Sequence, residues 1–257
     1  MVAGGGILGV IALVVSLLMG GDPGQILNQL PGQGGGPMSA EEQAVDDERA
    51  AFVKTVLAET EDIWTAYFRE QGQQYQPPTM VLFRGATQSG CGSASSASGP
   101  FYCPLDGGVY IDLSFYDQLR GQFGAEGEGA MAYVIAHEVG HHIQNLMGIT
   151  DKMQQMRGRV SQEEYNEYSV RLELQADFLA GVWAHYDQKR GVWQNVDTRS
   201  ALEAAAAIGD DAIQKRTQGH VVPESFTHGT SEQRMFWFTK GLQTGDVSQG
   251  DTFNAAL

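Results

Sequence analysis

Cysteine, basic side chains and histidine are all scarce in this 257-residue chain, and each scarcity narrows what the chain can be. There are two cysteines, Cys91 and Cys103, and no histidine lies near either in sequence, which disfavours a two-cysteine zinc site. They flank a short loop, Gly92 to Tyr102, and a disulfide between them is expected. Closing a loop of that length is worth roughly 3 kcal/mol in the chain-entropy account. Lysine and arginine together number 16 against 31 acidic residues, giving a formal net charge of −15. Such a surface repels phosphate backbones, so no nucleic-acid partner is expected. No internal repeat and no heptad run occurs. The 42% hydrophobic and 18% charged content instead suits a folded globule with one good-sized domain.

Charge is absent altogether from Met1 to Gly21, and Ile7 to Met19 are almost wholly apolar. That length is just enough to cross a bilayer core of about 30 Å. A cleaved signal peptide is the rival reading, disfavoured because a basic n-region and a small-x-small cleavage site are both missing. No lysine or arginine occurs in the first 48 residues, so nothing there holds either flank in the cytoplasm. The reading is therefore a single-pass membrane anchor at residues 1–21 with an extracytoplasmic domain. A Gly/Pro/Gln-rich linker at 22–38 and a folded domain at 39–257 follow.

What is present reads as α+β, a small sheet followed by a mostly helical half. Ser39 and Glu42 have capping-box spacing, and Val53, Val56, Ile63, Trp64 and Phe68 then recur at helical intervals to about Gln71. Thr79–Phe83, Phe101–Cys103 and Val109–Leu113 are strand candidates. Further helices are expected from Glu128 to Met147, from Ser161 to about Gln188 and from about Thr198 to Ile208, the last stopping at Gly209-Asp210-Asp211. A final one starts near Thr230, with Gln233 in capping-box position.

The chemistry sits on the helix from Glu128. His137-Glu138-Val139-Gly140-His141 has the H-E-x-x-H pattern. Residues four apart share a helical face, so two imidazoles can reach one zinc ion, and Glu138 can take a proton from a zinc-bound water. Six histidines in the whole chain make a chance match improbable. A catalytic zinc needs a third protein ligand and an open position. The metzincin extension is excluded, because Gln144 and Met147 stand where its glycine and histidine would be. Glu173 and Asp177, four apart on the next helix, are the better source: Glu173 as ligand, Asp177 receiving the free N–H of His137, with Asp177 as rival ligand. Ala176, Ala180 and Gly181 leave room for close approach to the H-E-x-x-H helix, while Glu163, Glu164 and Glu167 read as a solvated face.

A donor to the oxyanion is needed as well, and His228 is the candidate, with Arg234 nearby. A turn-organising role for His228 is the alternative. His142 reads as packing or supporting the site, His185 and His220 as structural or surface residues. Tyr110, Ile111 and Asp112 are a candidate for an edge strand that aligns an extended peptide.

The stretches GPFYCPLDGGVYIDLSFY, HEVGHHIQ, ELQADFLAGVW, AIGDD and VVPESFTHGTSEQR, in that order, resemble the bacterial putative neutral zinc metallopeptidases along almost the whole chain. The resemblance implies a zincin-like fold, a single Zn2+ and an envelope location. The arrangement is also similar to gluzincins, which implies His137, His141 and Glu173 as ligands, Glu138 as base and Asp177 behind His137. Thr227-His228-Gly229 looks like the His-Pro…Arg element of CAAX-type membrane zinc proteases, with Gly229 for the proline, which points to His228 and Arg234 as catalytic. One departure stands out: the family pattern often has a cysteine after the E-x-x-x-D aspartate and another before the C-terminal Thr-Phe. Phe178 stands at the first place and no cysteine near Thr252-Phe253, so a looser tail is expected.

The function these readings give is hydrolysis of peptide bonds in a peptide or protein substrate by zinc-activated water. A non-catalytic zinc-bound envelope scaffold or chaperone and a cell-wall amidase are the alternatives. The intact Glu138 favours an enzyme, since a purely structural site has no need of it.

Overall fold

The computed structural model describes residues 38–257. Its elements run α1 (Ala40–Glu70), β1 (Thr79–Phe83), β2 (Ala86–Ser89), β3 (Gly92–Ser95), β4 (Phe101–Cys103), β5 (Gly108–Asp112), α2 (Phe115–Gly121), α3 (Glu128–Leu146), α4 (Ile149–Met156), α5 (Gln162–Lys189), α6 (Asn195–Ala207), α7 (Asp210–Gln218) and α8 (Ser231–Thr244). The architecture is α+β, with eight helices among the described residues and two small sheets.

Local chemistry explains the helix starts. Ser39 accepts from the Glu42 backbone N–H while Glu42 accepts from the Ser39 N–H, so two otherwise orphaned donors at the start of α1 are satisfied. Thr230 and Gln233 do the same for α8, and Ser161 accepts from Glu164 at the start of α5. Behind its cap, α1 buries Val53, Val56, Ile63, Trp64 and Phe68 as one stripe.

The three-stranded sheet has the order β1-β5-β4, with β1 parallel and β4 antiparallel to β5. β5 is thus a central strand, buried along its whole length, with Tyr110 paired to Val81 on one side and Phe101 on the other. This corrects the edge-strand reading of Tyr110–Asp112. The Asp112 carboxylate serves the neighbouring loops, accepting from the Gly85 and Ser114 backbone N–H groups and from the Ser96 and Ser114 hydroxyls. β2 and β3 form a separate hairpin, and the Cys91–Cys103 disulfide ties it to β4.

In the helical half α3 is the hub. Every residue from Gly129 to Gly140 is buried, because α1, α5, α6 and the sheet enclose it. Glycines set the helix spacing. A Cβ on Gly140 would lie 2.9 Å from the Ala176 carbonyl oxygen, so α3 and α5 touch there backbone to backbone. Gly181, expected at that same contact, faces Gly241 on α8 instead, where a Cβ would fall 2.8 Å from the Leu242 nitrogen. The tail after α8 is firmly held, contrary to the looser tail expected. Phe178 packs on Gly250, Arg171 donates to the Thr252 and Ala255 carbonyls, and Thr252 donates to the Arg171 carbonyl.

The membrane-anchored location is not supported. Among the described residues no helix is long and apolar enough to cross a membrane. The longest, α1 and α5, carry acidic and basic side chains along their lengths. The expected anchor at residues 1–21 and most of the linker at 22–38 lie outside the described residues.

Candidate metal centre

His137, Glu138 and His141 project from the middle of α3, and Glu173 and Asp177 from the facing side of α5. The Gly140–Ala176 contact brings the helices near enough for these side chains to meet. His137, His141 and Glu173 offer ligand atoms that all lie within 4.8 Å of one another, a group that could hold a metal ion. Nε2 of His137 is 3.1 Å from Oε2 of Glu173, and Nε2 of His141 is 3.4 Å from Oε1. Two ligands at about 2.0–2.1 Å from a tetrahedral metal are roughly 3.3 Å apart, so these separations fit.

The protons make the fit stronger. Nδ1 of His137 lies 2.7 Å from Oδ1 of Asp177, an obligate acceptor when ionised, and Nδ1 of His141 lies 2.8 Å from Oε1 of Gln144. Both rings therefore keep Nδ1 against a fixed partner and turn Nε2 toward the Glu173 carboxylate. Burial works against charge on His137, yet Asp177 and Glu173 raise its pKa to about 10, so the Nε2 position facing Glu173 suits a proton or a metal cation.

Behind His137 stands a buried network. Asp177 accepts from Arg234 Nε at 2.8 Å and Nη2 at 2.9 Å, and from the Tyr133 hydroxyl at 2.5 Å. Burial opposes ionisation of Asp177, but the Arg234 guanidinium and His137 outweigh it and hold the carboxyl at about 2. Arg234, expected beside His228 as a donor to substrate, is placed elsewhere. It is 2% exposed, and its hydrogen bonds run to Asp177, Tyr133 and the Ile208 carbonyl. Burial pushes the Glu138 carboxyl up, opposed by His137 and His141, and keeps it a better proton acceptor than a solvated glutamate.

His228 comes to the same centre from the loop before α8. Asp210, the first residue of α7, accepts through Oδ2 from three successive backbone N–H groups, Thr227 at 2.7 Å, His228 at 2.6 Å and Gly229 at 3.1 Å. Its Oδ1 is 3.2 Å from Nδ1 of His228. Gly229, at φ +88°, makes the turn that a side chain would strain. The His228 side chain stays 46% exposed. Burial works against its charge, yet Asp210 and Glu173 raise its pKa above the ordinary histidine value.

The sequence pattern does not reveal three supporting residues. Asp210 looks like a helix stop, Gln144 only like a non-ligand, and Tyr133 carries no signal; only the position of Gln144 one turn beyond His141 points to its role. His142 bridges α3 to the Tyr102 hydroxyl on β4 and the Gln76 carbonyl. His185 donates to the Leu242 carbonyl, and His220 is exposed.

The family model for "putative neutral zinc metallopeptidase" matches residues 1–253. The chain is 48% identical over 254 residues to the uncharacterized protein YpfJ of Escherichia coli (strain K12), covering 97% of this chain and 88% of that one. It is 42% identical over 259 residues to the uncharacterized protein Rv2575 of Mycobacterium tuberculosis (strain H37Rv), covering 94% and 86%. No solved structure matches.

Proposed function

The chain belongs to the putative neutral zinc metallopeptidase family, and from that premise we propose that it is a zinc-dependent peptidase that cleaves peptide bonds with water. The observation that carries the reading is the convergence of two Nε2 atoms and the Glu173 carboxylate, with Glu138 on the same helix beside them. His137, His141 and Glu173 would hold the metal. When bound, zinc supplies a Lewis acid and lowers the pKa of its water from about 15.7 to about 7.

The protein's own groups do the rest. Glu138 accepts the proton of the attacking water and returns it to the departing amine nitrogen. Asp210 accepts a hydrogen bond from Nδ1–H of His228 and, with Glu173, favours the charged ring. Its Nε2–H is then free to donate to the carbonyl oxygen as negative charge develops there. Arg234 and Tyr133 act through Asp177, which fixes the ring of His137.

Metal analysis of the purified chain, with a peptide-library digest run with and without chelator, tests the reading. One equivalent of zinc and chelator-sensitive cleavage are expected, and Glu138→Gln should bind zinc without cleaving. A protein that binds no zinc, a Glu138→Gln variant that cleaves at the wild-type rate, or release from muropeptides with no peptide cleavage would each overturn it.

A further inference from the structure

We infer that the C-terminal segment after α8 is a working part of the metal centre, joined to His141 through two buried amide side chains, Gln144 and Gln175. The inference rests on the metal reading above. Gln144 is fully buried. Its Nε2 donates to the Leu172 carbonyl at 2.7 Å and to Oε1 of Gln175 at 3.1 Å. Both partners are acceptors, so the amide has one possible orientation, and that orientation turns Oε1 toward Nδ1 of His141 at 2.8 Å. The acceptor keeps the His141 proton on Nδ1 and the lone pair on Nε2, toward Glu173.

Gln175 needs a reference of its own, because a side-chain amide can flip. That reference is the Gly250 carbonyl, which accepts from Nε2 of Gln175 at 2.9 Å. Without it Gln175 can turn its NH2 toward the NH2 of Gln144. Two donors then face each other, and only the Leu172 carbonyl is left to keep Gln144 from reversing and presenting N–H to His141. The polarity of the chain from Gly250 to Gln175 to Gln144 to His141 is thus set by two main-chain oxygens, that of Leu172 on α5 and that of Gly250, about a hundred residues beyond the ligand. The Gly250 oxygen is itself fixed. The Phe178 ring packs against Gly250, and Arg171 and Thr252 close the tail onto α5. His137 gets the same service from Asp177 and Arg234; His141 gets it from the tail.

The test is zinc affinity of the full chain by competition with a chromophoric chelator, with apo-protein melting recorded in parallel. Gln144→Met removes the acceptor and should weaken zinc binding about 10- to 100-fold, the usual cost of losing a ligand's outer partner. Gln175→Met should weaken it at least about threefold, acting through Gln144, so the double variant should bind no more weakly than Gln144→Met alone. Gln175→Glu, which keeps an acceptor oxygen toward Gln144, should stay within about twofold of wild type. Lower melting with unchanged zinc affinity in both Met variants would mean packing alone and overturn the inference. So would effects that simply multiply in the double variant. If Gln144→Met does not fold, the two Gln175 variants decide. Wild-type protein that binds no zinc sinks the metal reading itself, whereas wild type and variants that bind alike sink only this inference.

Discussion

Arg234 grips Asp177 with two parallel hydrogen bonds, Nε to Oδ2 at 2.8 Å and Nη2 to Oδ1 at 2.9 Å, and both side chains are buried. The same carboxylate fixes the ring of His137, so this ion pair couples the last helix to the candidate metal ligands. Removing the cation leaves a carboxylate with no compensating charge in the interior, which costs about 3–5 kcal/mol. Arg234→Met should therefore lower the melting temperature by roughly 10 °C in a domain of this size. Arg234→Lys should recover little, because one ammonium cannot reproduce the planar fork. Differential scanning calorimetry checks both, and a Lys variant that melts like wild type would remove the geometric part of the claim.

The clamp on His228 makes a kinetic prediction. Asp210 spends one oxygen on three backbone N–H groups and the other on the ring, so Asp210→Asn loses charge while keeping much of the loop geometry. If His228 donates to the developing oxyanion, kcat should fall about 10- to 100-fold with KM nearly unchanged. His228→Gln should cost about 10²–10³, the range for loss of one oxyanion donor. Zinc content should stay at one equivalent in both. Steady-state kinetics on a peptide substrate decides it: a rise in KM with constant kcat would assign Asp210 to substrate binding instead.

How much of this could be read in the sequence follows the range of the interactions. The H-E-x-x-H ligands, Glu173 with Asp177, and the boxes at Ser39 and Thr230 are set by residues three or four apart, so their spacing alone is legible. The β2–β3 hairpin is not, because apart from Cys91 the stretch Ala86–Ser95 is built of Ala, Ser, Gly, Thr and Gln, and its pairing comes from the backbone. The central place of β5 depends on strands about 10 and 30 residues away, which no local pattern reveals. Gly209-Asp210-Asp211 reads as a helix stop because glycine and aspartate favour turns. Yet two acids also suit the first turn of α7, where they meet the positive end of the helix dipole. What decides between the readings is the loop at 227–229, which supplies the N–H groups that Asp210 accepts.

Away from the candidate metal centre, Asp187 near the end of α5 faces Glu59 and Asp62 of α1, with Arg190 on its own helix. Burial, reinforced by Glu59, pushes its carboxyl up to about 7, and Arg190 offsets only part of that. Glu59 is raised too, again by burial first. A carboxyl whose pKa is higher folded than unfolded binds more protons in the native state. Its stabilising contribution is complete below the unfolded value of about 4 and is lost as pH rises toward 7. Apo-protein stability should therefore decline between about pH 4 and 7, and Asp187→Asn should flatten that decline. Urea titrations at several pH values measure it, and identical slopes for the two proteins would exclude the pair as the cause.

Gly140 supplies the last prediction, because it sits inside the motif without touching metal. A methyl group there would come within 2.9 Å of the Ala176 carbonyl oxygen and 3.1 Å of its Cα, closer than packed atoms tolerate. Backbone cannot swing aside as a long side chain can, so α5 must move away from α3. Glu173, carried on α5, would then draw back from Nε2 of His137 and His141, while Glu138 and both imidazoles, carried on α3, keep their mutual spacing. Alanine is otherwise a better helix former than glycine by about 1 kcal/mol. The two effects oppose each other in stability but not in metal binding. Gly140→Ala should thus melt within a few degrees of wild type yet bind zinc at least about tenfold more weakly. Chelator competition beside thermal melting separates these, and wild-type zinc affinity in the alanine variant would show that the helix contact does not set the reach of Glu173.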